Sequence, residues 1–129
     1  MTVLLDTHTF LWWIDNNDKL SHTARRVIGD SNNKIYLSAV STWEIAIKDQ
    51  LGKLTAPKPL LPFFTDQIQN NNFLFLPIQI EHTCKVNELE NLHKDPFDRL
   101  LIGQSITEGF PILTIDPLIS AYKDVKTIW

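Results

Sequence analysis

Four carboxylates, Asp6, Glu44, Asp98 and Asp116, stand where the chain changes direction. Asp6 ends the apolar run Val3, Leu4, Leu5, and Asp116 follows Ile112, Leu113, Thr114, Ile115. Glu44 and Asp98 fall in the first turns of helical stretches that open at Ser41 and Asp95. Each acid also has a local structural explanation. Ser41 with Glu44 three residues later forms a capping box, while Asp95 suits an N-cap, Pro96 the first helical position and Asp98 the positive end of the helix dipole. Gathered in one place the four would do more than cap. Carboxylates about 4–5 Å apart repel by about 4 kcal/mol per pair at an effective dielectric near 20, so the cluster needs a proton or a cation. With no histidine or cysteine at ligand spacing, an all-oxygen set selects magnesium or manganese over zinc.

The intervening elements decide whether the acids meet. Val3 to Leu5, Ile35 to Leu37, Phe73 to Leu76 and Ile112 to Ile115 read as buried strands, and Val125 to Trp129 as an added edge strand. Between them the pattern predicts helices over Thr7 to Ile14, Ser21 to Ile28, Ser41 to Leu51 with its stop at Gly52, and Leu60 to Ile68 with Pro62 in the first turn. A further helix is expected over Ile80 to Leu92 with Cys84, Val86 and Leu89 inward, then one from Asp95 to Gly109, and a short one from Pro117 to Tyr122. Gly103, inside the helix that Asp95 opens, marks a close packing approach, since glycine there costs up to about 1 kcal/mol relative to alanine. Such alternation gives a parallel sheet with helices on both faces, and ligands in such sheets bind beyond the carboxyl ends of the strands. All four acids are expected on that side.

The 129 residues fit one domain, 1–129, large enough to bury about two-thirds of the surface its unfolded chain exposes. Apolar residues make up 43% and charged ones 21%, and no linker or repeat divides the chain. No signal peptide or membrane span is apparent, which predicts a cytoplasmic protein. Cys84 is the sole cysteine, so neither an internal disulfide nor a thiolate metal site is available. A net charge of −3 gives no basic signature of nucleic-acid binding. Setting four of the 15 acids aside in a metal site leaves 11 acidic against 12 basic side chains, a slightly positive remainder.

These residues resemble the PIN-domain ribonucleases, and most closely the VapC toxins of bacterial toxin–antitoxin pairs. The likeness is carried by Leu4, Leu5, Asp6, Thr7, His8; by Ser41, Trp43, Glu44, Ile45 and Lys48; by His93, Asp95, Pro96, Phe97, Asp98, Arg99, Leu100; and by Thr114, Asp116 and Tyr122. It implies a three-layer α/β/α sandwich with a mainly parallel sheet of four or five strands, magnesium-dependent RNA cleavage, and an inhibitory antitoxin. The family's acidic positions fall on Asp6, Glu44, Asp98 and Asp116. On this reading Asp6, Asp98 and Asp116 hold one or two Mg2+ or Mn2+ ions and Glu44 orients the attacking water or completes a second metal position. Thr114 and Asp95 stand behind these ligands, and Arg99, Lys48 and Lys94 are candidates for RNA phosphate contacts, with a plain i,i+4 ion pair to Glu44 as the simpler role of Lys48. The adjacent aromatic pairs Trp12/Trp13 and Phe63/Phe64 each turn one ring away from the best-buried direction, which together with the resemblance predicts a homodimer and an antitoxin groove along the first helices.

Two other readings share these residues. A haloacid dehalogenase-like phosphatase would use Asp6 as nucleophile with Ser38 on the phosphate, although His8 stands where such enzymes place a second acid. A non-catalytic partner-binding module would leave the acids as caps and surface charge.

Overall fold

The computed structural model describes residues 1–129. In chain order the elements are β1 (Thr2–Leu5), α1 (Thr7–Ile14), α2 (His22–Gly29), β2 (Lys34–Ser38), α3 (Ala39–Gln50), α4 (Leu60–Asn70), β3 (Leu74–Leu76), α5 (Ile80–Asn87), α6 (Pro96–Glu108), β4 (Ile112–Leu113), α7 (Pro117–Ser120) and β5 (Thr127–Ile128). All strand pairings are parallel and the sheet order is β3-β2-β1-β4-β5. The five-stranded sheet is thus wholly parallel.

Strand alternation divides the core into two halves. Val3, Leu5, Ile35, Leu37 and Leu113 face one side, where Phe10, Ala24, Ile45 and Phe64 from α1 to α4 cover them. Leu4, Leu76 and Ile112 face the other and pack under Leu101, Ile102 and Ile119 of α6 and α7. Because successive strand side chains point to opposite faces, a tripeptide as short as Val3-Leu4-Leu5 feeds both halves, giving three layers.

Two element boundaries differ from the sequence pattern. Helix α3 starts at Ala39, directly after β2, with the Ser38 hydroxyl accepting from the Val40 N–H at 2.9 Å. Ser41 and Glu44 therefore lie inside the helix and form no capping box. The last strand residue doubles as the helix cap, and this removes the local explanation for Glu44. The helix expected over Ile80 to Leu92 ends at Asn87. Beyond it the chain is held by Arg99, whose guanidinium donates to the carbonyls of Val86, Glu90 and His93 at 3.2, 3.0 and 3.2 Å. On α5 it is His82 that is buried, not Cys84, which is exposed. The helix opened by Asp95 stops as expected, with Gly109 in the left-handed region at φ 76°. Gly103 lies where α6 crosses α5, and a Cβ there would stand 2.8 Å from the His82 carbonyl oxygen.

Candidate active site

The order 3-2-1-4-5 reverses direction at β1, so a crevice opens beyond the carboxyl ends of β1 and β4, where neighbouring crossovers leave to opposite sides. Asp6 follows β1 and caps α1, its Oδ1 accepting from the Thr7 N–H at 2.7 Å. Asp116 lies three residues past β4 and caps α7, its Oδ1 accepting from the Leu118 N–H at 2.9 Å. Thr114 joins the two strand ends. Its hydroxyl donates to Asp6 Oδ2 at 2.7 Å and accepts from the Asp116 N–H at 3.0 Å.

The helices bring the other two acids to this edge. Thr7 Oγ1 donates to Ser41 Oγ at 2.9 Å, tying the start of α1 to α3 beside Glu44. Trp43 meets Phe97 edge to face, with ring centroids 4.9 Å apart, which sets α3 against the first turn of α6 beside Asp98. Asp95 is the α6 cap, its Oδ1 taking the Phe97 and Asp98 N–H groups at 2.8 and 3.1 Å.

His93 is the residue that sequence reasoning missed as a member of the site. Its Nε2 lies 2.9 Å from Asp98 Oδ2 and 3.0 Å from Asp116 Oδ2, and the ligand atoms of these three residues all fall within 4.8 Å of one another. The expectation of a site without histidine is therefore corrected. The sequence signal was slight: His93 is five residues from Asp98 in a segment whose fold comes from Arg99 and Tyr122, with no helical or strand period to place it.

The electrostatics are those of crowded acids with too few cations. Burial pushes Asp98 up to about 8, and Asp6, Asp95, Glu44 and Asp116 add repulsion in the same direction. Burial also raises Asp6, against the Thr114 hydrogen bond, with Glu44 again adding repulsion. Glu44 is almost fully buried, with Oε2 paired to Lys48 and Oε1 without any hydrogen-bond partner. Burial works against the Lys48 charge, but its hydrogen bond to Glu44 and the charges of Glu44, Asp95 and Asp98 hold the ammonium above the usual lysine range.

The candidate phosphate contacts are corrected in part. Arg99 is spent on three carbonyls and the Tyr122 hydroxyl, at 3.2 Å, so it fastens a loop. Lys48 is engaged with Glu44, whereas Lys94 is exposed. The aromatic pairs turn inward more than their spacing predicts: Trp12, Trp13 and Phe63 are half-buried against the core and Phe64 is buried. Leu11, Ile14 and Phe63 still line an open groove between α1 and α4. The phosphatase reading loses its phosphate ligand, because Ser38 is fully buried and hydrogen-bonded to Gln104 and Val40.

Residues 3–124 match the family model of the PIN domain. The chain belongs to the PIN domain family. Among curated relatives, this PIN domain is 24% identical to Ribonuclease VapC22 of Mycobacterium tuberculosis over 130 residues, covering 99% of this chain and 98% of that one. Its fold matches the crystal structure of VapBC2 from Rickettsia felis bound to a promoter DNA fragment, with a TM-score of 0.72, 15% identity and coverage of 99% and 98%. It also matches VapBC-5 of Mycobacterium tuberculosis, a member of the VapBC family of toxin–antitoxin systems, with a TM-score of 0.61, 13% identity and coverage of 98% and 97%.

Proposed function

We propose that this PIN domain is a magnesium-dependent endoribonuclease acting as the toxin of a toxin–antitoxin pair. The observation that carries the reading is the meeting of Asp98 and Asp116 beside Asp6 and Glu44 at the sheet's switch point, where Lys48 pairs with Glu44 and where burial and the neighbouring acids push Asp98 up to about 8. Two features fit a hard divalent cation: the orphaned buried Glu44 Oε1, and a donor set of carboxylate oxygens. Asp6, Asp98 and Asp116 would hold the ion, with Glu44 completing the site. Bound there, magnesium supplies a water of lowered pKa and polarises a phosphate oxygen.

The chain's own groups do the positioning. Thr114 fixes the Asp6 carboxylate, the caps fix Asp95 and Asp116, and Lys48 holds one Glu44 oxygen while the other is free to orient a water. Lys94, exposed next to His93, is the remaining basic side chain suited to an RNA phosphate. The ribonuclease name of the VapC relative supports RNA as substrate, and the VapBC structural neighbours support an antitoxin partner. The groove along α1 offers it an apolar seat.

The test is cleavage of single-stranded RNA with and without Mg2+ by the parent and by Asp6→Asn, Asp98→Asn and Asp116→Asn. Loss of cleavage in each folded variant, and on adding EDTA, is expected. Cleavage at the parent rate by any folded variant removes that residue from the mechanism, and cleavage indifferent to EDTA overturns the metal.

A further inference from the structure

His93 is buried and fastened on three sides. Its N–H donates to the Tyr122 hydroxyl at 2.9 Å, its carbonyl accepts from Arg99 at 3.2 Å, and its ring Nδ1 accepts from the Asp95 N–H at 3.2 Å. Tyr122 in turn donates to the Glu90 carbonyl at 2.9 Å, so the whole segment before α6 is clamped from α6 and from beyond α7.

The Asp95 contact settles what the ring can do. A ring nitrogen that accepts an N–H carries no proton of its own, and a proton on Nδ1 would set two donors against each other. The ring proton is therefore on Nε2, the nitrogen facing Asp98 Oδ2 and Asp116 Oδ2. A protonated nitrogen is a donor and cannot also be a metal ligand.

We propose that His93 is a positioning residue that donates its Nε2–H to Asp116 Oδ2 and so fixes that carboxylate beside Asp98 for a cation, without ligating the cation itself. The inference rests on the divalent-cation reading of this site. Each carboxylate oxygen has two acceptor directions, so a donor on Asp116 Oδ2 leaves that side chain, like Asp98, able to bind an ion. A donor standing behind metal-binding carboxylates removes the rotamer freedom that the ion would otherwise have to freeze. It also explains why Arg99 and Tyr122 are committed to a loop: they hold the imidazole in register with two helices that share no backbone hydrogen bond with it.

The experiment combines the ring's tautomer with cation binding. In protein labelled with 15N at histidine, two-bond 1H–15N spectra assign the His93 ring by its absence in His93→Gln. A neutral Nε2–H ring is expected before and after adding Mg2+, and a proton on Nδ1, or loss of the Nε2 proton on adding Mg2+, overturns the proposal. Calorimetry with Mn2+ then compares the parent with His93→Gln, which keeps an N–H donor, and His93→Leu, which does not. His93→Leu should bind about tenfold to 100-fold more weakly and His93→Gln within about threefold of the parent. Equal or tighter binding by folded His93→Leu, or a loss in His93→Gln as large as in His93→Leu, overturns it. If His93→Leu fails to fold, the tautomer and the His93→Gln affinity still decide. A parent that binds no Mn2+ brings down the cation reading itself, an outcome distinct from a parent that binds and variants that do not differ.

Discussion

Asp98 is the residue on which the site's electrostatics converge, and its ionisation couples catalysis to stability. Its folded value of about 8 lies above the ordinary 3.8, so between those values the native state holds a proton that the unfolded chain has lost. The metal-free protein should therefore lose stability as pH rises from about 4 to about 8, with a slope of up to about 1.4 kcal/mol per pH unit. Thermal melts at pH 5 and pH 8 check this. Asp98→Asn should flatten the slope and melt higher than the parent at pH 8, and Mg2+ should raise the parent's melting temperature more at pH 8 than at pH 5. A parent curve that rises over this interval would contradict the assignment. Glu44 makes a second prediction at this scale. With no capping box to close, Glu44→Gln should keep the fold and its contact with Lys48 but weaken Mn2+ binding and RNA cleavage by about tenfold or more. Circular dichroism and calorimetry on the same sample separate the two effects.

Elements meet at this site through small, specific contacts. Helix α6 presents Asp98 and Asp95 from one end and crosses α5 at Gly103 in its middle, where a methyl group would lie 2.8 Å from the His82 backbone oxygen. Gly103→Ala gains up to about 1 kcal/mol of helix propensity but forces two backbones apart, an overpacking cost of about 1–3 kcal/mol. The expected sum is a lower denaturation midpoint in urea. Because α5 leads into the loop bearing His93, cation affinity should fall with it. An unchanged midpoint would show that the helices can separate freely there. The same helix depends on Asp95 for two N–H groups, and Asp95→Ala should cost about 1 kcal/mol through the lost cap.

For the whole molecule, the sheet order places the acids at one edge and leaves the α1/α4 groove beside Leu11, Ile14 and Phe63 free for another chain. Co-expression with the adjacent reading frame should yield a complex whose RNA cleavage is lower than that of the isolated chain. Light scattering should give the isolated protein a mass near 30 kDa, about twice the 14.9 kDa chain. A monomer that cleaves RNA equally well with the co-expressed product bound would refute the toxin–antitoxin pairing and leave the nuclease standing. No helix is long and apolar enough to cross a membrane.

Local chemistry made the strands, most helices and three of the four acids legible in the sequence. Asp6 and Asp116 lie just beyond apolar strands and Asp98 follows an Asp-Pro helix start, signals that act over a few residues and need no tertiary contact. Glu44 was legible as an acid on a helix, but its apparent cap was not real, since Ser38 had already capped α3 from the end of β2. His93 and Arg99 were decided by tertiary structure alone. Residues 88–95 have no repeating pattern, so nothing local says whether a histidine there meets solvent or two carboxylates. Its place follows from an arginine on α6 and a tyrosine 29 residues onward, which close on the loop only when the sheet has set β4 beside β1. Parallel pairing joins residues as distant as Leu4 and Ile112, and contacts of that range depend on the whole core forming at once.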